Sequence, residues 1–322
     1  MSTSAECMIT AQASLMAAHW FGSQVDSVSA VSGGATNLVF CVTSNGAAYY
    51  LRRYRKQVRE AVEREHAFIA HCNARGVPAP LPIARASSSI LQNDDGVCWA
   101  MFEAASGVQH DELTVDQARG SGIALAALHN ASRSAVQGGF SSFQLSWTAA
   151  AWARRLARIR HAIEQLPTRD TRDAHALDRV RQQTEWLTDP SCPQRYDSAY
   201  PGQLIHGDYH QGNLFFEGAA VSAVIDWDNA VIMPRAFELV RACFFICQMD
   251  PEQTRSLIEG YRAVARLTPA ELEDGAAAWG AYADHHVWPL EELYLHDNAA
   301  ARRFIWPRPF RPFLEEWAAI GF

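Results

Sequence analysis

Carboxylates, amides and histidines gather at short intervals between Leu204 and Asp228, in the run LIHGDYHQGNLFFEGAAVSAVIDWD. Asp208 stands beside a glycine, with a histidine before it; Asn213 follows five positions later and Asp226 eighteen positions after Asp208. A carboxylate so placed can accept the proton of an attacking hydroxyl. An asparagine amide oxygen and a second carboxylate can hold magnesium, a hard cation that takes oxygen ligands. These are parts of a phosphoryl-transfer site, where a protein mostly positions the reactants and stabilises charge. An isolated Asp or Asn in a loop is more often a turn former. Here order, spacing and strand context together argue for chemistry.

Those residues need strands to carry them, and the same run supplies two. Leu214–Phe216 and Val221–Ile225 read as short apolar strands, which would bring Asp208 and Asp226 to neighbouring strand ends at one mouth. Upstream, Ala11–Phe21 places Leu15, Met16, Trp20 and Phe21 at helical spacing. Val25–Val31, Leu38–Thr43 and Ala47–Arg52 read as an antiparallel meander. Its first turn is the glycine-rich Ser32–Asn37, and its second is the hairpin pair Asn45-Gly46. Glu60–Asn73 is predicted as a helix with Val62, His66, Ile69 and Cys72 along one side, stopped by Gly76-Val77-Pro78. Ile83–Leu91 and Val97–Phe102 read as a further hairpin around Asn93–Gly96. Beyond Glu103 the periodicity is mainly helical, over 116–132, 147–166, 172–187, 236–249, 251–265, 269–290 and 312–320. The fold class is therefore α+β.

Composition removes several functions. The chain has 322 residues, 48% of them apolar and 20% charged, with a formal net charge of −7. That balance disfavours a nucleic-acid-binding surface. Seven scattered cysteines without a CxxC pair build neither a disulfide framework nor a zinc site. No basic region with an apolar core opens the sequence, and no run of about 18 apolar residues spans a bilayer. A cytoplasmic protein with no membrane or nucleic-acid partner is expected. No feature of the sequence specifies an oligomer.

His206-Gly207-Asp208-Tyr209-His210-Gln211-Gly212-Asn213, followed by Ile225-Asp226-Trp227-Asp228, resembles the catalytic and metal-binding motifs of the aminoglycoside phosphotransferase and choline kinase-like superfamily. Type II homoserine kinases belong to the same group. The resemblance covers about Val25 to Arg241 and implies a bilobal protein-kinase-like fold. Its N-terminal lobe, an antiparallel sheet plus a helix over residues 1–103, would bind ATP. Its larger, mainly helical lobe, residues 104–322, would bind the acceptor. ATP and Mg2+ are the implied cofactors, with a small hydroxylated molecule as the partner.

The resemblance also assigns residues. Asp208 would be the base or hydroxyl positioner, and Asn213 and Asp226 the magnesium ligands. Asp228 would either extend the metal shell or serve as a turn residue. His206 would hold the loop, with Tyr209 and His210 toward the substrate. Ser32, Gly33, Gly34, Thr36 and Asn37 would cover the phosphates. The third strand carries Arg52 where the family commonly has lysine, with Arg53 as runner-up. Guanidinium also binds phosphate. Glu65 would anchor Arg52, with Glu60 and Glu63 as alternatives, and the backbone of Phe102 and Glu103 would meet adenine. Glu238 stands where family members usually have an aspartate supporting the magnesium strand.

The acceptor stays open among three chemistries. Glu271, Glu273, Asp274, Asp284, Glu291, Glu292 and Asp297 could meet a polycationic aminoglycoside. Trp279, Tyr282, Trp288, Tyr294 and Trp306 could cage choline. Arg235 or Arg241 could hold the carboxylate of homoserine. The rival functions are a protein serine/threonine kinase of the same fold and a nucleotide-binding regulator without turnover.

Overall fold

A computed structural model describes residues 3–31, 37–55, 57–86, 88–190, 192–305 and 309–321. The first elements are α1 (Thr3–Phe21), β1 (Val25–Ala30), β2 (Leu38–Ser44), β3 (Ala47–Arg53), α2 (Arg59–Asn73), β4 (Leu91–Gln92), β5 (Cys98–Glu103) and α3 (Val115–Ser132). Then come β6 (Leu145–Ser146), α4 (Ala149–Glu164), α5 (Thr171–Thr188), β7 (Arg195–Tyr196), β8 (Gln203–Ile205), β9 (Leu214–Glu217), β10 (Ala220–Val224) and β11 (Val231–Met233). The last are α6 (Arg235–Ile246), α7 (Pro251–Val264), α8 (Pro269–Asp284), α9 (Trp288–Leu295) and α10 (Phe313–Ile320). The chain divides into two units. One comprises Met1–Ser141, Gln203–Ile232 and Ser256–Ala265, and the other Ser142–Gly202, Met233–Arg255 and Arg266–Phe322.

The first unit is built on an antiparallel sheet of order β1-β2-β3-β5-β4. Asn45 and Gly46 both take positive φ, 51° and 76°, as a tight two-residue hairpin between right-twisted strands requires. The register that follows sets Arg52 opposite Val39 on one side and Ala100 on the other. α1 lays Ala13, Met16 and Ala17 onto Phe40, Val42, Leu51, Trp99 and Met101. Burying each large side chain there is worth roughly 2 kcal/mol. Leu15, expected on the inner face with Met16, instead points to solvent and is 71% exposed.

The second predicted hairpin is shorter than its sequence suggests. β4 covers only Leu91–Gln92, and the segment from Ile83 runs beside β5 through single contacts. Ile83 N donates to Met101 O at 2.7 Å, but Arg85 and Ser88 then pair with each other, Arg85 N donating to Ser88 O at 2.8 Å and Ser88 N to Arg85 O at 3.2 Å, and this turn takes the chain out of the ladder. α2 buries Val62, His66, Ile69 and Cys72 as its spacing predicts, and buries Glu65 with them. α3 begins with a capping box between Thr114 and Gln117. It crosses α7 through glycines that leave no room for a side chain. A Cβ on Gly122 would lie 1.9 Å from Leu257 O, and one on Gly260 would lie 2.1 Å from Arg119 O.

In the second unit, Trp152, Leu156, Ile159 and Ile163 of α4 pack with Ala176, Val180 and Leu187 of α5. α6 meets α8 where a Cβ on Gly275 would lie 2.5 Å from Ala236 O. The single helix expected over 269–290 is two helices, α8 and α9, broken after Asp284. Pro289 cannot donate to an i−4 carbonyl and sits in the first turn of α9, where no donor is needed. The buried end of α8 is satisfied from elsewhere: Gln183 Nε2 donates to Asp284 O at 2.7 Å, and Trp186 Nε1 and Phe313 N donate to its carboxylate. Among the described residues no helix is long and apolar enough to cross a membrane.

Candidate active site

β8 ends at Ile205, and the loop that follows is held by a histidine. His206, fully buried, accepts a hydrogen bond from Asp208 N at Nδ1 (3.2 Å). Its proton therefore sits on Nε2, which donates to Ile225 O at 3.0 Å. One ring thus ties the Asp208 loop to the residue before Asp226. Gly207 makes this turn with φ +81°, and a Cβ there would lie 2.0 Å from Asn229 O. Tyr209, expected on the substrate side, is turned inward, its hydroxyl donating to Ser121 O at 2.9 Å. His210 remains half-buried, with Nε2 3.7 Å from Asp208 Oδ2 and 3.2 Å from Asn213 Nδ2. Asn213 donates from Nδ2 to Asp208 O at 2.9 Å, and Ile225 N donates to Asn213 O at 3.0 Å. Asp208, Asn213 and Asp226 are brought to adjoining strand ends by these bonds.

Asp226 follows β10 in the left-handed region, at φ 66° and ψ 64°, a costly conformation for a residue with a side chain. Such strain concentrates at functional sites. Its Oδ1 lies 2.7 Å from Arg52 Nη2. The same nitrogen lies 2.9 Å from Asp228 Oδ2, while Arg52 Nη1 reaches Glu65 Oε1 at 3.2 Å. Asn37 closes the group, donating from Nδ2 to Asp228 Oδ2 at 2.8 Å and accepting from Arg55 N at Oδ1 (3.1 Å). Asp228 is a buried ion-pair partner, its side chain 4% exposed.

The electrostatics of this cluster are unbalanced. Three carboxylates surround one guanidinium. Burial alone would depress the Arg52 pKa, but Glu65, Tyr54, Asp226 and Asp228 outweigh it and hold the guanidinium above its ordinary range. Burial pushes the Glu65 carboxyl up to about 7; Arg52 opposes this, and the negative Asp228 and Asp226 add to it. Burial likewise raises Asp228 to about 6, against Arg52 and with Asp226. Asp228 Oδ1 and Glu65 Oε2 are buried without a hydrogen-bond partner. Excess negative charge and an unpartnered carboxylate oxygen suit a hard divalent cation. Among the described residues no three His, Cys, Asp or Glu side chains form a metal cluster. The donors expected here are one carboxylate and one amide, completed by phosphate oxygens.

Other residues singled out in the sequence fall elsewhere. Ser32, Gly33, Gly34 and Thr36 lie outside the described residues. Arg53 turns away and lies over the Trp99 ring, Glu63 pairs with Arg59 at the surface, and Glu60 is exposed. Phe102 and Glu103 end β5. The Phe102 ring packs edge-on against His66, and Glu103 N donates to Leu81 O at 3.4 Å. Tyr54 and His66 also belong to the cluster. In the sequence His66 reads as part of a helix face, and Tyr54 belongs to no motif. The signal was Tyr54's place two residues after Arg52, one strand step on the same face.

The model of the phosphotransferase enzyme family matches residues 27–286. A homoserine kinase of Methylobacterium radiotolerans is 28% identical over 279 residues, covering 84% of this chain and 82% of its own. One of Phenylobacterium zucineum is 26% identical over 247 residues, covering 75% and 72%. In structure the chain is similar to a spectinomycin phosphotransferase solved with ADP and spectinomycin, with TM-score 0.64, 15% identity and coverage of 96% and 93%. It is also similar to an aminoglycoside 2'-phosphotransferase solved as its GDP complex, with TM-score 0.55, 15% identity and coverage of 97% and 98%. These likenesses identify the fold as the α+β, protein-kinase-like one. The chain belongs to the phosphotransferase enzyme family.

Proposed function

We propose that this protein is an ATP- and magnesium-dependent kinase that phosphorylates the hydroxyl of a small amino acid of the homoserine kind. The observation that carries the reaction is the joining of Arg52 to Glu65, Asp226 and Asp228 beside the Asp208–Asn213 loop. Asp208 receives or orients the acceptor hydroxyl, and His206 holds its backbone in place. Arg52, anchored by Glu65, meets the phosphates, and Asn37 steadies Asp228. Asn213 and Asp226 would hold magnesium, which when bound neutralises charge on the phosphates. Residues 1–103 would form the nucleotide lobe and 104–322 the acceptor lobe, with the backbone at Phe102 and Glu103 against adenine. The two homoserine kinases support the acceptor class.

Within the second unit, side-chain partners favour that acceptor over the other two. Most of the acidic residues are spent internally. Glu271 takes Arg235, Glu291 takes Arg155, Glu292 takes Asn298, and Asp274 accepts from Tyr196, Ser198 and Ala199 N. Little acid is left for a polycation. Among the described residues the aromatic ones do not form one cage. Tyr294 donates to Asp173, Trp288 packs on Phe304, and Trp306 lies outside the described residues. Trp279 and Tyr282 lie together, but Arg241 sits over Trp279 at 5.9 Å and over Phe245 at 4.6 Å, which repels a quaternary ammonium. Of the two arginines considered for a carboxylate, Arg235 is tied bidentately to Glu271.

The test is ADP release with MgATP over a panel of homoserine, choline, ethanolamine, sugars and aminoglycosides. Homoserine turnover is expected, reduced on the order of 10³ or more by Asp208→Ala. Turnover of choline or an aminoglycoside in preference to homoserine would overturn the acceptor. Unchanged rates for Asp208→Ala would overturn the reaction.

A further inference from the structure

Arg52 lies on more than its carboxylates. Its guanidinium carbon is 4.9 Å from the centroid of the Tyr54 ring, which is 1% exposed. The Tyr54 hydroxyl donates to Glu65 Oε1 at 3.3 Å, the same oxygen that receives Arg52 Nη1. That hydroxyl is also 3.2 Å from His66 Nε2, and His66 Nδ1 is 2.8 Å from Ser89 Oγ. Because the hydroxyl's one proton goes to Glu65, His66 must donate to it from Nε2 and accept from Ser89 at Nδ1. Burial, then the nearby Arg52 charge, lowers the His66 pKa to about 4, so the ring is neutral and this single tautomer is consistent. The bonds run in one direction, Ser89 to His66 to Tyr54 to Glu65, and end on the carboxylate that anchors Arg52.

A lysine could not use this arrangement. Its ammonium is a compact point charge with no plane to lie on a ring and no fork to reach Glu65 and both aspartates separately. We propose that Tyr54, directed by His66 and Ser89, is a positioning residue that shapes this site for arginine, holding the guanidinium with Nη1 on Glu65 and Nη2 toward the Asp226 side. Tyr54 touches no reactant; it acts through Arg52 and Glu65. The proposal rests on the reading of Arg52 as the phosphate-contacting cation.

The experiment is a double-mutant cycle of Tyr54→Phe and Arg52→Lys, with Tyr54→Leu as a third variant. Turnover is read as kcat and as KM for MgATP and for acceptor, and affinity for a non-hydrolysable ATP analogue is read by titration. Tyr54→Phe keeps the ring and loses the hydroxyl, so the KM for MgATP and the Kd for the analogue should rise about 3- to 10-fold, with the acceptor KM unchanged. Arg52→Lys should cost more, and adding Tyr54→Phe to it should cost nothing further. Equal effects of Tyr54→Phe in the arginine and lysine backgrounds would overturn the proposal, as would Arg52→Lys with wild-type kinetics. Analogue binding does not need the acceptor, so failure to find an acceptor leaves the cycle readable. A wild type that does not bind the analogue at all overturns the kinase reading and this one with it. Tyr54→Phe carries the test should Tyr54→Leu fail to fold.

Discussion

Arg52 Nη2 lies 2.7 Å from Asp226 Oδ1 although 174 positions separate the two residues. The ion pair fastens the third strand of the sheet to the loop after β10. Its two ends differ in surroundings: the Arg52 side chain is 10% exposed and that of Asp226 40%. An ion pair with one end in solvent is screened, and its share of stability is correspondingly small. Asp226 nevertheless holds a strained backbone, which points to a use other than stability.

Asp226→Ala should therefore separate activity from folding. Arg52 keeps Glu65 and Asp228, so unfolding free energy in urea should fall by no more than about 2 kcal/mol. Phosphoryl transfer should fall on the order of 10³ or more. A comparable loss of both would make Asp226 a structural residue.

Asn37 makes two bonds that join the end of the loop before β2 to Asp228 and to Arg55 N. Asn37→Ala leaves the buried Asp228 carboxylate with one partner fewer beside an oxygen that already has none. A destabilisation of about 1–3 kcal/mol is expected, measured by urea denaturation. Asn37→Asp should cost more, because it sets a second carboxylate against Asp228.

Gly207→Ala places a methyl group 2.0 Å from Asn229 O at a φ of +81°. The clash is with backbone, so the His206–Asp208 turn must shift. Since His206 donates to Ile225 O, the displacement should reach Asp226 as well as Asp208. Steady-state kinetics should show kcat reduced at least about 100-fold, as misplacement by about 1 Å can do. Gly218→Ala, where nothing lies within 4 Å of the added carbon, is the control that should retain activity.

His285 supplies a pH prediction in the second unit. Its ring is stacked 3.8 Å from Trp147, and burial lowers its pKa to about 4 from 6.5. A histidine with a lowered folded pKa binds fewer protons folded than unfolded between those values. Its contribution is thus fully present above pH 6.5 and is lost as pH falls toward 4. His285→Phe should remove up to about 3 kcal/mol of acid sensitivity over that interval. Unfolding curves of the two proteins at several pH values provide the check. Parallel curves would show that His285 does not carry the effect.

Much of the site can be read locally because its parts obey local rules. Asn45-Gly46 demands a turn with two positive φ values, which fixes the β2–β3 register and the position of Arg52 within it. The α2 pattern of Val62, His66, Ile69 and Cys72 is a helical period, and Glu65 falls on the inner side of it. β9 and β10 follow from two apolar runs around a glycine turn. Local rules also mislead where competing contacts decide. The Arg85–Ser88 pairing turns the chain away from the ladder before Leu91, Leu15 faces solvent, and Tyr209 turned to Ser121.

The order and spacing of Asp208, Asn213 and Asp226, the strands beside them and the family motif they form are all written in the residues alone. Arg52 and Glu65 are legible there as a candidate pair. It takes the packed fold to bring one guanidinium to Glu65, Asp226 and Asp228 together, to bury Asp228 in that cluster, and to set Tyr54 and His66 in support of it. Periodicity and turn chemistry act over a few residues. The partner of a buried charge is chosen by whatever packing brings within about 3 Å, from any distance along the chain.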